Sequence, residues 1–384
     1  MPKVLYLFDA LKRGGAETST LEIASRLNKW EAIVVSIYQG TELREDFEKR
    51  GIRVYSLDIE SQLSLIPTKK GIQEILDKEK PDLIHSNLFM ADQFARYLGK
   101  KNNIPVINSF VNDSYSPERK ELLPLKQRIS LSVYQLIDRL MAPKVTKFMS
   151  LTKAIIENNS KALAIEPKNV KVIHRGRNFQ KLWQNVDDEK VSFIKSEYGP
   201  GPIILTVSRL LVRKGYLEAI KAFKKVNEKY PDTTYIIAGW GPDQRIIESL
   251  IEELNLKNRV FLLGNRSDVP SLLKASDIFL FPSHYEGQGG ALVEAMLMEK
   301  PIIATGIPVL MESVKDNFSA KLFKYRDISD LSNTISWAIE NPSKMLRYAK
   351  NARSEAEKRF DIELIAQEHE DLYDEVLINY NKSK

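Results

Sequence analysis

Cysteine is absent from this chain of 384 residues, which excludes a disulfide framework, thiolate catalysis and cysteine-ligated metal. Histidine is scarce, at four residues, and the four are scattered, so no zinc-binding set is visible and no metal is expected. No apolar run reaches the roughly 18 residues that a membrane-crossing helix requires. Glycine and proline, 17 of each, are too few for a collagen-like or low-complexity chain. No self-similar period of about 20–50 residues is present, which argues against a solenoid. The opening run Val4–Phe8, with Asp9 behind it, lacks the length and cleavage site of a secretion signal, so the cytoplasm is the expected compartment.

What is present is a globular composition, 43% apolar and 28% charged, in a length that suits two domains at about 100–200 residues each. Val4–Phe8, Ala32–Ile37, Val54–Leu57, Leu83–His85, Val106–Ser109, Phe148–Leu151 and Val170–Ile173 read as strands. Helical periodicity lies between them at Ala16–Leu27, Lys70–Asp77 and Ala91–Leu98. That alternation predicts an α/β class with a doubly wound parallel sheet covered on both faces. Residues 183–202, with Asp187-Asp188-Glu189 and Gly199-Pro200-Gly201-Pro202, hold no strand pattern and read as a linker. A second alternation follows, with strands at Ile203–Val207, Thr234–Ala238, Val260–Leu263, Ile278–Phe281 and Ile302–Ala304. The expected domains are therefore 1–182 and 203–361, both Rossmann-like, with a long amphipathic helix over 362–384. Ligands of open α/β sheets sit beyond the carboxyl ends of the strands. Two such domains imply a ligand cleft between them, in a hinged enzyme or a two-lobed binding protein.

Charge is uneven. The net charge is +6, yet residues 101–185 hold fifteen bases against six acids. Such a region suits phosphates, nucleic acid or an anionic membrane, or is simply a solvated surface. Leu122–Met141 reads as an amphipathic helix with Lys126, Arg128 and Arg139 on its polar side. Nucleic acid needs closely set stacking aromatics. Phe110, Tyr115, Tyr134 and Phe148 are widely spaced, so no nucleic-acid partner is expected.

Three loops carry chemistry. Gly14-Gly15-Ala16-Glu17 follows the first strand and opens a helix, a combination that lets backbone N–H groups approach an anion. Ser208-Arg209-Leu210-Leu211-Val212-Arg213-Lys214-Gly215 follows the first strand of the second domain. Its three cations match a diphosphate without a metal. Pro282-Ser283-His284-Tyr285-Glu286-Gly287-Gln288-Gly289-Gly290 then runs into a helix bearing Glu294. Carboxylates accept paired hydrogen bonds from vicinal hydroxyls, so Glu286 and Glu294 point to a sugar or ribose.

These loops, with Ala238-Gly239-Trp240-Gly241-Pro242 and Val260–Gly264, resemble the retaining GT-B glycosyltransferases of family 4 over nearly the whole chain. The resemblance implies that Arg209 and Lys214 hold the donor diphosphate and that Glu286 touches the donor sugar. It implies that Gln288, Gly289 and Gly290 lie along sugar and diphosphate, that Glu294 binds the ribose, and that Gly15 approaches the phosphates from the first domain. Backbone near Gly264, Asn265 and Arg266 would read the base. The terminal helix would cross back onto the first domain. The implied reaction is a metal-free, front-face displacement from a nucleoside-diphosphate sugar, with UDP or GDP as carrier, onto a glycan or lipid-linked glycan of a bacterial surface polysaccharide. An anionic membrane surface on the inner face of the cell would dock through 101–185. A GT-B-type sugar-nucleotide epimerase is the alternative reading. The chain departs from the family pattern where many relatives carry an acceptor-side His. Asn112 and His85 are the candidates to replace it. Relatives also often have Asp where Trp240 stands, and Asn-Gly where Arg175-Gly176 stands.

Overall fold

The computed structural model describes residues 1–382; Ser383 and Lys384, the end of the expected tail helix, lie outside the described residues. The chain divides into two units, Met1–Arg177 together with the tail from Ile362, and Asn178–Asp361. In the first unit β1 (Lys3–Phe8), β2 (Glu31–Tyr38), β3 (Arg53–Ile59), β4 (Leu83–Asn87), β5 (Val106–Phe110), β6 (Lys147–Ser150) and β7 (Val170–Val172) form one sheet in the order 3-2-1-4-5-6-7. Every pairing is parallel. The β1 run is apolar at consecutive positions because both faces are covered. Val4, Tyr6 and Phe8 enter one core, and Leu5 and Leu7 enter the other.

The tail helix Ile362–Lys382 completes the first of these cores with Ile362, Ile365, Leu372, Tyr373 and Val376. Each such side chain contributes about 1.5–3 kcal/mol by leaving water. Polar contacts fix its register. The Glu370 carboxylate accepts from the backbone N–H of Asn28 and Lys29, and Trp30 Nε1 donates to Asp374 at 2.8 Å.

In the second unit β8 (Ile203–Val207), β9 (Thr234–Ala238), β10 (Val260–Leu262), β11 (Ile278–Phe281), β12 (Ile302–Thr305) and β13 (Lys321–Phe323) order as 10-9-8-11-12-13, again all parallel. The edge strand β13 was not expected from the sequence, since Leu322-Phe323 stands between Lys321 and Lys324 and makes no apolar run.

The stretch 183–202 is not a bare linker. It carries the whole helix Asp188–Tyr198, which follows Phe179–Gln184, and both belong to the second unit. The acids that suggested a linker are a helix start. The Asp187 carboxylate accepts from the N–H groups of Glu189 and Lys190, and Asp188 and Glu189 fill the first turn. Val191 and Ile194 then bury against the sheet.

Each strand order reverses once, between β1 and β4 and between β8 and β11. Connections leave to opposite faces at such a point, and the crevice beyond the strand ends is where open α/β sheets bind ligands.

Candidate functional site

The two reversal points differ. β1 and β4 stay paired through five residue pairs, out to Phe8 and Asn87. β8 and β11 pair only at Ile204–Ile278 and Leu205–Phe279. Beyond that the Thr206 hydroxyl donates to the Leu280 carbonyl at 2.7 Å, and the strand ends diverge into two loops. Those loops carry Arg209 to Lys214 and Glu286 to Gly290. Gly215 locks them together. Its φ is +75°, and a Cβ there would lie 1.9 Å from the Pro282 carbonyl oxygen, so any side chain would force the loops apart.

The result is a buried ion pair between the Lys214 ammonium and the Glu286 carboxylate, 72 residues apart in sequence. Burial pushes the Glu286 carboxyl up, but Lys214, Arg213 and a hydrogen bond from Ser283 outweigh it and hold it below the usual carboxylate range. Burial pulls Lys214 down, and Glu286 opposes that shift. Arg213 lies over the Tyr285 ring, 4.8 Å from its centroid, and Arg209 is exposed at the end of β8. Taking two opposite charges out of water is costly, and apolar residues would satisfy the fold as well. A pair retained there has both a fixed cation for phosphate oxygens and a fixed acceptor for hydroxyls.

The remaining expected residues of this unit lie on the same carboxyl edge. Gln288 is buried, Gly289 has φ +91°, and Gly290 begins the helix Gly290–Leu297 that holds half-buried Glu294. Gly264 follows β10, and its carbonyl accepts from Gly239 N–H at 2.7 Å. Asn265 and Arg266 are exposed, but the Arg266 side chain is tied in a fork to Asp268 at 2.8 and 2.5 Å. Sequence reasoning assigned no role to His284. Its Nε2 lies 3.2 Å from a Glu218 carboxylate oxygen in the first turn of the helix Tyr216–Lys229. This contact braces the Glu286 loop against the helix that follows Lys214. No local signal links two positions 66 apart.

In the first unit Gly15 opens the helix Gly15–Ala24, and a Cβ there would meet Arg175 Nη1 at 3.1 Å. His85 does not stand open on the acceptor side. Its ring is buried, with Nδ1 2.8 Å from the Tyr373 hydroxyl and Nε2 2.7 Å from the Ser109 hydroxyl. Both ring nitrogens are thereby used, one in holding the tail helix and the other on β5, and burial drives the imidazole well below its ordinary pKa. Asn112 is half-buried beside a pocket of about 210 Å³ that also exposes Ser114, Arg119 and the aromatic pair Phe89 and Tyr134. Next to it Asp113 was passed over. Its Oδ2 accepts from Asn158 at 2.8 Å while Oδ1 is buried without a hydrogen-bond partner. Burial raises this carboxyl to about 6.

The basic region yields an inside-out helix. Leu125–Met141 buries only Leu131 and Asp138. Leu125, Ile129, Val133, Leu136 and Leu140 form an exposed stripe, with Leu125 at 73%. Lys126, Arg128 and Arg139 are also exposed. Asp138 is the anchor: it pairs with Arg96 at 2.7 Å and accepts from Tyr115 at 2.5 Å and Gln93 at 2.7 Å.

Among the described residues no helix is long and apolar enough to cross a membrane, and no three His, Asp or Glu side chains converge as metal ligands. The family model described as Glycosyl transferases group 1 matches residues 187–355, and that described as Glycosyltransferase Family 4 matches 13–181. An Escherichia coli relative named UDP-Gal:alpha-D-GlcNAc-diphosphoundecaprenol alpha-1,3-galactosyltransferase is 26% identical over 83% of this chain and 82% of its own. The capsular polysaccharide biosynthesis glycosyltransferase CapH of Staphylococcus aureus is 25% identical over 97% of this chain and 99% of its own. The crystal structure of Anabaena Alr3699/HepE with UDP and glucose is 24% identical, covers 98% of this chain and 100% of that one, and superposes with a TM-score of 0.85. That likeness gives the fold as GT-B.

Proposed function

Because the chain belongs to the group 1 and Family 4 glycosyltransferases, we propose that it moves a sugar from a nucleoside diphosphate to a lipid-linked glycan, with retention of anomeric configuration, in the building of a bacterial surface polysaccharide. The observation that carries this reading is the buried Lys214–Glu286 pair at the open strand reversal of the second unit. UDP is the carrier we favour. The Escherichia coli relative is named for UDP-galactose, and the Anabaena structure holds UDP and glucose. The same relative's diphosphoundecaprenol acceptor and the capsular relative support the acceptor class. These relatives are named as transferases, which disfavours the epimerase reading.

In the proposed reaction the bond from the anomeric carbon to the β-phosphate oxygen breaks, and both electrons leave with the phosphate. The acceptor oxygen bonds to the same face of that carbon, and its proton passes to the departing phosphate oxygen. Arg209 and Lys214 stabilise the charge that grows on the diphosphate. Glu286 accepts from donor sugar hydroxyls and Glu294 from the ribose, while Gln288 to Gly290 lie along the sugar and diphosphate. Glu286 serves as no nucleophile in this reading, since the acceptor oxygen itself attacks on the face that the diphosphate leaves. No bound metal takes part. On the acceptor side, Asn112 and Asp113 are the polar groups we assign to the incoming hydroxyl. The apolar stripe of Leu125–Met141, flanked by bases, lies in an anionic membrane surface on the cytoplasmic side and brings the enzyme to its lipid-linked acceptor.

Thermal unfolding with UDP, GDP, dTDP and ADP, each with and without EDTA, tests the donor site. At about 100 times its dissociation constant a ligand adds roughly 2.7 kcal/mol of stability. A rise with UDP that EDTA leaves intact, followed by transfer from a UDP-sugar to an undecaprenyl-diphosphate glycan, is the expected result. Stabilisation that EDTA abolishes would overturn the metal-free assignment.

A further inference from the structure

The chain has four tryptophans, and three are engaged. Trp30 is 1% exposed and donates to Asp374. Trp183 Nε1 donates to the Leu297 carbonyl at 3.3 Å. Trp337 stacks on Tyr348, with Lys321 and Lys344 over its ring. Trp240 is different. It is 65% exposed, and among the described residues its indole has no hydrogen-bond or ring partner.

Its backbone, by contrast, is tightly fixed. A Cβ at Gly239, where φ is +153°, would lie 1.9 Å from the Ser208 carbonyl oxygen, and one at Gly241 would lie 2.2 Å from the Leu210 carbonyl oxygen. Leu210 N–H donates to the Trp240 carbonyl at 3.1 Å, and Gly239 N–H to the Gly264 carbonyl at 2.7 Å. The tryptophan is thus held on the carboxyl edge of the sheet, at the end of the strand between β8 and β10. Arg209 stands on one side of it and Gly264 to Arg266 on the other.

We infer that Trp240 is the nucleobase platform of this enzyme: its indole stacks on the base of the nucleoside diphosphate whose phosphates sit at Arg209 and Lys214. The inference rests on the donor reading proposed above and adds a nucleotide-binding residue to it. The cations are gathered on the β8 and β11 side of Trp240, where a diphosphate belongs. A nucleoside diphosphate places a flat, uncharged ring system one ribose away from that charge. An exposed indole on a rigid loop offers a flat face at little cost in conformational freedom. Stacking tolerates any base, so Trp240 supplies affinity, and the loop after Gly264 is left to choose among bases.

The test compares wild type, Trp240→Ala and Trp240→Phe by calorimetric titration with UDP, GDP and inorganic pyrophosphate, with tryptophan fluorescence recorded in parallel. Trp240→Ala should weaken nucleotide binding about five- to a hundredfold, the range that loss of one base–aromatic stack produces. Trp240→Phe should recover most of that loss, and pyrophosphate should bind all three proteins alike. Nucleotide should quench wild-type fluorescence, and the quench should disappear in Trp240→Phe. Equal nucleotide affinity in wild type and Trp240→Ala overturns the inference while leaving the donor site standing, as does a rise confined to the KM of the acceptor. A wild type that binds no nucleoside diphosphate removes both the donor reading and the inference.

Discussion

The two units are variations on one parallel sheet, and they treat the strand reversal in opposite ways. The first zips β1 to β4 to the end and ties the paired strands on both faces with polar side chains that bond one another: His85, Tyr373, Tyr6 and Ser109 on one face, and Ser86, Asn108, Asp92 and Arg96 on the other. Burial there raises Asp92 to about 8 against the pull of Arg96. The second unit lets β8 and β11 part after two pairs and sets a single ion pair in the gap. A reversal plugged with internal hydrogen bonds is scaffold. One left open, with fixed charge at its mouth, is where we propose the donor binds. The first unit compensates outward, by exposing the apolar stripe of Leu125–Met141.

Breaking this contrast should cost most where a buried charge loses its partner. Asp138→Ala strands Arg96 and should remove about 3–5 kcal/mol from the first unit. The unfolding transition of that unit should move in calorimetry while nucleotide binding persists. In the second unit Lys214→Ala should lower kcat about 10²–10³-fold, a typical loss when one group that stabilises transition-state charge is removed. The double variant Lys214→Met/Glu286→Leu sharpens the point: stability within about 1 kcal/mol of wild type with no transfer would mean that the pair serves the reaction rather than the fold.

The pH arm is smaller. His369 in the tail helix is held by burial down to about 4. The unfolded chain, titrating near 6.5, takes a proton that the folded unit refuses, so this contribution is complete above pH 6.5 and is lost as pH falls toward 4. Against His369→Gln, the wild type should fall behind by up to about 3 kcal/mol over that window. A constant gap between the two melting curves would contradict the buried, neutral imidazole. The smallest effect on stability belongs to the exposed stripe. Leu136→Ser/Leu140→Ser should change stability by less than about 0.5 kcal/mol and yet abolish flotation with phosphatidylglycerol vesicles. Undiminished flotation would sink the membrane assignment.

Sequence made some of this visible and concealed the rest for physical reasons. Strands such as Val4–Phe8 and Ile203–Val207 announce themselves because burial on both faces demands unbroken apolar runs. The loops proposed to hold the donor were legible because glycine, arginine and lysine do their work locally. Contacts between distant positions were not. That Lys214 meets Glu286, or His284 meets Glu218, depends on how two loops converge, as at Gly215 and Pro282. His85 could not be told from a site residue, since its partner Tyr373 lies 288 positions away. Amphipathic spacing over 122–141 was plain, but the pattern does not say which face looks outward, and here the buried residues are Leu131 and Asp138.

The tail helix Ile362–Lys382 has a consequence for biosynthesis. The second unit is one uninterrupted stretch of chain, from Asn178 to Asp361, whereas the first needs its opening residues and its closing helix together. On a ribosome, which releases the chain from its amino end, the unit made first must wait with its Trp30 and Tyr6 core uncovered until the last helix emerges. The unit made second can finish before it. Ribosome-bound chains that stop near residue 361 would therefore present an apolar groove where Tyr373 belongs, a surface for chaperones to hold until synthesis is complete.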